Sequence, residues 1–560
     1  MSVMESVARW VPGIQVVRSY RREWLAADAV SGIVLAAILV PQGMAYAELA
    51  GLPAVTGLYT TIACLVGYAI FGPSRVLVLG PDSSVSPLIF AAIAPLVVAK
   101  DPASAIALAG MLALMVGLIE IGLGLGKLGF VADLLSSEVQ VGYMNGLAIT
   151  IIVGQLPKLF GFSTDASSFG SEVVAFFQNL DRTEGAALAV GIGVLIVLLV
   201  LPRVTRAVPA VLVAVVGATV VSAVLDLSDR IATVGKLPKG FPTPALPWTS
   251  RDDVWPLLIA AVGITLVSLT DTIATSAAFA ARRGDEVNPD QEMIGIGAAN
   301  VAAGFLQGFA VSTSGSRTAV AEQSGAKTQL TGLVGAGLVA ALLLFFNSLL
   351  ADLPQAALAA VVIAAAISLL DLGALRRYAA VRRSALVLSL VASLAVIVLG
   401  VLEGIAVAIV LALLMFFHRN WWPYGAVLGR VDGLDGWHST EYYPDATEEP
   451  GVLVYRWEAP LFFANAGSFR RQIRRLVRER RPDWVVLQCE AITDIDVTGA
   501  GIVDQLDLEL NADGVHMAFV EMRNRLQDLV QRYGLLETLD STHFYPTIDR
   551  AIAAIREETP

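Results

Sequence analysis

Val76-Leu77-Val78-Leu79-Gly80-Pro81-Asp82-Ser83-Ser84 sets an extended, β-like run and a Gly-Pro break at the head of an apolar stretch. Phe309-Ala310-Val311-Ser312-Thr313-Ser314-Gly315-Ser316-Arg317 repeats the arrangement later in the chain. Neither stretch reads as an ordinary spanning helix. Irregular backbone at membrane depth is tolerated only where protein buries it or where it lines a cavity. Around these two stretches lie apolar runs long enough to cross ~30 Å of hydrocarbon. They fall at 28–50, 54–71, 83–99, 103–125, 130–157, 184–202, 207–225, 254–280, 290–310, 329–350, 354–371, 384–400 and 402–418, with a shorter, polar run at 312–326. Counting the polar run gives 14 segments, and the two interrupted ones are the third and the tenth. Those positions correspond if the chain is two halves of seven. Seven is odd, so the halves must be inverted relative to each other. Paired, interrupted segments in corresponding positions are the sequence mark of a transporter's binding site.

The charges support this count. The last 140 residues hold 37 charged side chains, the first 420 only 50. The tail thus matches the roughly 25% of a soluble protein, and the front falls to half of that. With the N-terminus inside, internal loops carry Arg75, Lys127, Arg203 and Arg206, Arg282 and Arg283, Lys327, Arg376, Arg377, Arg382, Arg383 and Arg419, as the positive-inside rule requires. Dropping the polar run would invert everything after it. Met1–Ala27 is a charged cytoplasmic segment that runs into an apolar stretch too long for a cleaved signal. The chain therefore divides into 1–27, a membrane domain over 28–419, a linker over 420–450 and a cytoplasmic tail over 451–560. In the tail Val452–Trp457, Trp484–Leu487 and His516–Glu521 read as strands, and 466–480, 498–511 and 522–533 as helices. Alternating strands and helices predict a small α/β domain. The net charge of −11 sits mostly in the tail and does not favour nucleic acid. Cys64 and Cys489 are too far apart to form a motif. All four histidines (His418, His438, His516, His543) lie at or beyond the last apolar run, so no zinc site and no intramembrane histidine relay is expected.

Two half-helices beginning near mid-membrane aim free N–H groups and positive dipole ends at one point, which suits an anion. Asp82, Ser83 and Ser84 can cap the first and Ser314 or Ser316 the second; the same groups that cap a helix also bind an anion. Arg317 is the strongest signal. An arginine at that depth costs at least ~2.5 kcal/mol unless paired or hydrated, and a guanidinium matches an oxyanion. Asp82 and Glu322 are its candidate ion-pair partners. Asp271, in the middle of the eighth segment, shares a helix face with Thr275 four residues on. The pair can carry a proton or help hold Na⁺, or the Asp is a static hydrogen-bonding group. Glu120 and Glu138 are weaker candidates, near segment ends or in packed interfaces. Pro41 kinks the first segment, leaving Gln42 and Tyr46 on one face. Thr498, in Asp494-Ile495-Asp496-Val497-Thr498-Gly499, stands at a helix start, as an N-cap or as a phosphorylation site favoured by the helix dipole. Arg470, Arg471, Arg474, Arg475 and Arg478 line one helix face, solvated or against anionic lipid.

These residues resemble the sulfate permease (SulP) family of anion transporters over nearly the whole chain. The resemblance rests on Val40-Pro41-Gln42-Gly43-Met44-Ala45-Tyr46, Ala50-Gly51-Leu52-Pro53, Gly57-Leu58-Tyr59, Gly80-Pro81, Ser316-Arg317, Gly325-Ala326-Lys327-Thr328 and Asp496-Val497-Thr498-Gly499. The tail resembles a STAS domain, with Thr498 where related proteins carry a phosphorylatable serine. The resemblance implies a seven-plus-seven inverted repeat, a core that moves against a gate like an elevator, and a homodimer in the cell (inner or plasma) membrane with both termini cytoplasmic. It implies an anion site made by Gln42, Ser83, Ser84, Ser316 and Arg317, to which Tyr46 is added from its position beside Gln42. It implies cation coupling at Asp271, with Thr275 beside it. Asp82 at such a site must be protonated, paired with Arg317 or turned away. The expected function is cation-coupled uptake (H⁺ or Na⁺) of a small oxyanion, sulfate first, with bicarbonate or a dicarboxylate as alternatives. An exchanger or channel, and a regulatory module signalling through the tail to a cytoplasmic protein, are the rivals. No enzyme, no cofactor beyond the coupling ion and no nucleic-acid partner is expected.

Overall fold

The computed structural model describes residues 10–97, 101–134, 136–164, 168–205, 209–537, 539 and 541–558. Arg206 and the first nine residues of the N-terminal segment lie outside them. The chain forms two compact units, Met1–Ala412 and Leu413–Pro560.

Among the described residues, the helices and half-helices that correspond to the 14 apolar segments are α1 (Leu25–Leu49), α2 (Ala54–Phe71), α3 (Ser86–Ile93), α4 (Pro102–Leu125), α5 (Ser137–Leu159), α6 (Gly185–Val204), α7 (Ala210–Val224), α8 (Arg251–Ala281), α9 (Pro289–Phe305), α10 (Gly315–Gln323), α11 (Leu330–Phe345), α12 (Gln355–Leu369), α13 (Arg383–Leu399) and α14 (Val401–Trp421). Eight helical stretches are long and apolar enough to cross a membrane by length and composition. α3 and α10 are the half-helices, with eight and nine residues. Each is preceded by a two-residue strand, β1 (Leu79–Gly80) and β2 (Ser312–Thr313), and these pair antiparallel with Leu79 opposite Thr313 and Gly80 opposite Ser312. The two extended runs thus satisfy each other's backbone groups where water is absent, which is why both segments are broken at the same depth.

The packing carries the inverted repeat. α1 packs on α11 as α8 packs on α4; α4 packs on α9 as α11 packs on α2; α5 packs on α13 as α12 packs on α6. Raising or lowering each helix number by seven turns one pair into the other. The interface of α4 against α9 is made by glycines. A Cβ on Gly117 would lie 2.6 Å from the Gly297 carbonyl, and one on Gly304 would lie 2.7 Å from that of Gly110. One turn-pair further on, a Cβ on Gly124 would meet the Asp290 carbonyl at 2.5 Å. The contacts step by seven residues in opposite directions along the two helices, the small-residue packing by which membrane helices approach closely.

Asp28, fully buried at the start of α1, locks α1 to the start of α11. It accepts from the Lys327 and Thr328 N–H groups (2.7 and 3.1 Å) and from the Thr328 and Thr331 hydroxyls (2.7 and 3.1 Å). The carboxylate takes up donors of the turn that leads into α11 and lies near that helix's positive dipole end. Asp28→Ala leaves those buried donors unpaired and is expected to destabilise the membrane unit by about 3 kcal/mol or more. The thermal unfolding midpoint of the detergent-purified protein measures this; an unchanged midpoint refutes it.

The second unit holds a six-stranded sheet in the order β4-β3-β5-β6-β7-β8. Its strands are β3 (Gly425–Gly429), β4 (His438–Ser439), β5 (Val452–Trp457), β6 (Trp484–Gln488), β7 (His516–Val520) and β8 (Phe544–Tyr545). Strands β5 to β8 run parallel, and β3 is antiparallel to β5. Helices α15 (Ala466–Arg480), α16 (Val497–Ala512), α17 (Asn524–Arg532) and α18 (Ile548–Glu558) complete it. The three expected strands and three expected helices are present. The stretch 420–450 is not merely a linker, however: β3 and β4 lie within it and join the sheet. Ala426 and Leu428 of β3 are buried in the core that α18 covers, a short alternation hidden among glycines and aspartates. On α15 three of the six arginines hydrogen-bond to acids, while Arg471, Arg475 and Arg478 stay exposed. Arg470 and Arg474 both bind Glu509 of α16, and Arg480 binds Glu448 at 2.8 Å. The guanidiniums of Arg474 and Arg470 hold the Glu509 carboxyl below its usual range.

Candidate functional site

A cavity of about 1140 Å³ lies between two groups of helices in the membrane unit. One wall comes from α1, the turn ahead of α3, α8 and α10, the other from α5, α6, α7 and α12. The cavity reaches Thr205, Ser324 and Asp371, on the face that carries the basic loops at Arg203, Lys327 and Arg377. Every membrane residue singled out for binding or coupling lines it: Gln42 and Tyr46 from α1, Ser83 and Ser84 ahead of α3, Asp271 and Thr275 from α8, Ser316 and Arg317 from α10.

Pro41, inside α1, precedes Gln42, which is half-buried; Tyr46, one turn on, is buried. Asp82 caps the turn into α3. Its Oδ1 accepts from the Ser84 N–H and hydroxyl (3.0 and 2.9 Å), while its carbonyl accepts from the Ser86 hydroxyl at 2.7 Å. Ser314 caps α10, accepting from the Arg317 N–H at 3.5 Å, and its hydroxyl lies 3.1 Å from that of Ser316. Ser316 itself is not the cap and stays exposed to the cavity. Both half-helices therefore start at the cavity with their positive ends toward it.

The Arg317 side chain is 1% exposed, and its nearest carboxylate oxygen is Asp82 Oδ2 at 3.6 Å. Of the two partners open at the sequence level, Asp82 is the one present. Glu322 is taken instead by Arg283 and Arg282, at 3.2 and 3.5 Å. Among the described residues the three guanidinium nitrogens make no hydrogen bond, so a buried cation with five donors borders the cavity with those donors unused by protein. Gly80 makes its placement possible. A Cβ there would lie 2.8 Å from Arg317 Nη1, so the guanidinium rests directly over the β1 backbone. Gly80→Ala is expected to displace the guanidinium and weaken binding of an oxyanion in this cavity about tenfold, without unfolding the protein. Equilibrium binding to purified protein measures it, and native affinity would show that the guanidinium can shift at no cost.

Asp271 is half-buried, and Gln140 Nε2 of α5 donates to its Oδ1 at 3.4 Å, across the cavity. Thr275 lies beside Gly315, its methyl carbon 4.0 Å from where a Cβ on that glycine would stand. The carboxylate of Asp271 and the hydroxyl of Thr275 thus offer oxygen donors beside the start of α10, suited to a hard cation. Gln140 was missed by sequence reasoning; a lone amide at the start of the fifth segment was its only signal. Glu120 lies in the packed interior of α4, α8 and α9 instead of on the cavity. Glu138, half-buried at the start of α5, is not among the cavity's lining residues. In the second unit the N-cap of α16 is Asp496, which accepts from the Gly499 N–H at 2.7 Å; Thr498 stands exposed in the first turn.

Residues 25–392 match the Sulfate permease family, and residues 443–551 match the STAS domain. A probable sulfate transporter of Mycobacterium tuberculosis is 41% identical over 552 residues, covering 98% of each chain. The structure of the murine Solute Carrier 26 family member A9 anion transporter in the inward-facing state superposes with a TM-score of 0.90 at 23% identity, covering 99% of this chain and 95% of that one. The transmembrane domain of a cyanobacterial bicarbonate transporter gives a TM-score of 0.61 at 26% identity, covering 70% of this chain and 98% of that one.

Proposed function

Because the chain belongs to the sulfate permease family, we propose that it is a secondary active transporter that imports a small inorganic oxyanion, sulfate in the first instance, together with H⁺ or Na⁺. The observation that carries this reading is the convergence on one cavity of two half-helix N-termini and a buried guanidinium with unused donors.

In this reading the oxyanion binds between α3 and α10. Arg317 supplies a planar fork, and the hydroxyls of Ser83, Ser84 and Ser316 and the backbone N–H groups of the half-helix starts supply further donors. Gln42 and Tyr46 close the side toward α1. Asp82 steadies Arg317 while no anion is bound and gives way to the anion, the Ser84 hydroxyl turning from it to the anion while the Ser84 N–H still holds it. The cation enters at Asp271 and Thr275, where its charge offsets that of the anion in the same cavity. α1–α4 and α8–α11 form the moving core and α5–α7 and α12–α14 the gate. The Gln140–Asp271 contact crosses that divide and must break when the core moves like an elevator. A homodimer in the cell membrane, both termini cytoplasmic, and a protein partner for the STAS domain complete the proposal. Phosphate on Thr498 would meet the positive end of α16 and the negative Asp496 together.

Uptake of labelled sulfate into proteoliposomes under imposed pH or Na⁺ gradients tests this. Accumulation driven by one of the gradients is expected. Flux indifferent to both would make the protein an exchanger or channel, and displacement of sulfate by bicarbonate at lower concentration would favour the substrate of the cyanobacterial relative.

A further inference from the structure

The carboxyl of Glu120, in α4, is fully buried and takes no part in the cavity. It joins three elements. Its Oε1 lies 3.0 Å from Ser268 Oγ of α8, and its Oε2 accepts from Asn300 Nδ2 of α9 at 2.7 Å. Both partners reach on to one residue, Val311. The Val311 N–H donates to Asn300 Oδ1 at 2.8 Å, and the Val311 carbonyl lies 3.2 Å from Ser268 Oγ. Val311 leads directly into β2, which pairs with β1, where Gly80 lies beneath the Arg317 guanidinium. Ser268 also stands three residues before Asp271 on the same helix. The glycine contacts between α4 and α9 bring the two backbones close enough for this relay.

Counting protons assigns the form in which Glu120 works. Ser268 has one proton and two acceptors within reach, Glu120 Oε1 and the Val311 carbonyl. A charged carboxylate would compete for that proton, and its two partners here are both neutral. A carboxyl that donates to Ser268 Oγ frees the serine proton for the Val311 carbonyl, so that every acceptor of the relay finds a donor as well. We propose that Glu120 is a positioning residue which, as a neutral acid, sets the backbone of the strand entering α10 and thereby the Arg317 end of the anion site. The proposal rests on the functional reading of that site given above.

The test uses the full chain. Glu120→Gln keeps the same count, since its amide donates to Ser268 and its oxygen accepts from Asn300. It is expected to retain the KM for labelled sulfate, and gradient-driven accumulation, within about twofold of the parent. Glu120→Ala is expected to raise that KM about tenfold and to speed amide exchange across residues 309–313. Ser268→Ala, a smaller change, should move both readouts in the same direction and serves if the alanine at 120 does not fold. Two results overturn the proposal. One is a Gln variant that loses accumulation at unchanged KM, which would mean that Glu120 works through its charge. The other is an alanine variant with the parent's KM and the parent's exchange at 309–313. A parent that takes up no sulfate overturns the functional reading alone; comparing exchange in the Gln and Ala variants then still decides whether Glu120 positions the strand.

Discussion

Arg317→Ala is expected to abolish measurable sulfate binding and uptake. A hydrogen bond to a charged group contributes about 1.5–3 kcal/mol. Losing the two of a bidentate pair therefore costs about 3–6 kcal/mol, at least a hundredfold in affinity. The truncation also strips Asp82 of its only ion-pair partner among the described residues, leaving a carboxylate at a site meant for an anion. Repulsion adds to the loss. Arg317→Lys separates the two effects: charge is kept, the planar fork is lost, and an intermediate affinity is expected. Asp82→Asn removes the competing carboxylate while keeping an acceptor for Ser84, so affinity should hold or rise. Equilibrium binding and initial uptake rates measure all three. Affinity unchanged in Arg317→Ala would remove Arg317 from the site.

Asp271→Asn carries the second large effect. The amide keeps the size of the side chain and can still meet Gln140, so the fold and the anion site should survive. It cannot accept a proton or offset the charge of Na⁺. Gradient-driven accumulation of sulfate should fall to background while sulfate–sulfate exchange continues at a rate near the parent's. Accumulation that survives would make Asp271 a structural group. Thr275→Ala should lower the apparent affinity for Na⁺ if that is the coupling ion and leave H⁺-driven uptake unaffected; the comparison identifies the cation.

Much of this site was legible in the sequence because a bilayer penalises polar and broken backbone so heavily. Gly80-Pro81 and Ser312–Arg317 stand out in an apolar chain, and their corresponding positions imply that they meet. Arg317 and Asp271 are conspicuous for the same reason. The choice between Asp82 and Glu322 as partner of Arg317 was not legible, since both lie within reach along the chain's own elements. Gln140 could not be placed either. Its role depends on α5 facing α8 across a cavity, and an amide near a segment end carries no marker of that. In the second unit, β3 escaped notice because it is only five residues long and lies among the glycines and aspartates that signal a linker. Thr498 was placed at its helix start, but the capping role fell to Asp496, whose side chain reaches the Gly499 N–H.

The sequence by itself determined the number of segments, the two broken helices and the α/β tail. Each follows from local chemistry: apolar length, Gly-Pro breaks, alternation of strand and helix. The tertiary structure alone decided what each buried polar group meets. Glycines stand seven residues apart on α4, but that they meet Gly297 and Gly304, and so hand Glu120 to Asn300, depends on two helices far apart in sequence. The same holds for Arg317 lying over Gly80. Apolar patterning says that a group is buried; only the folded chain supplies its partner, because hydrogen bonds and ion pairs act over a few ångströms and are indifferent to sequence distance.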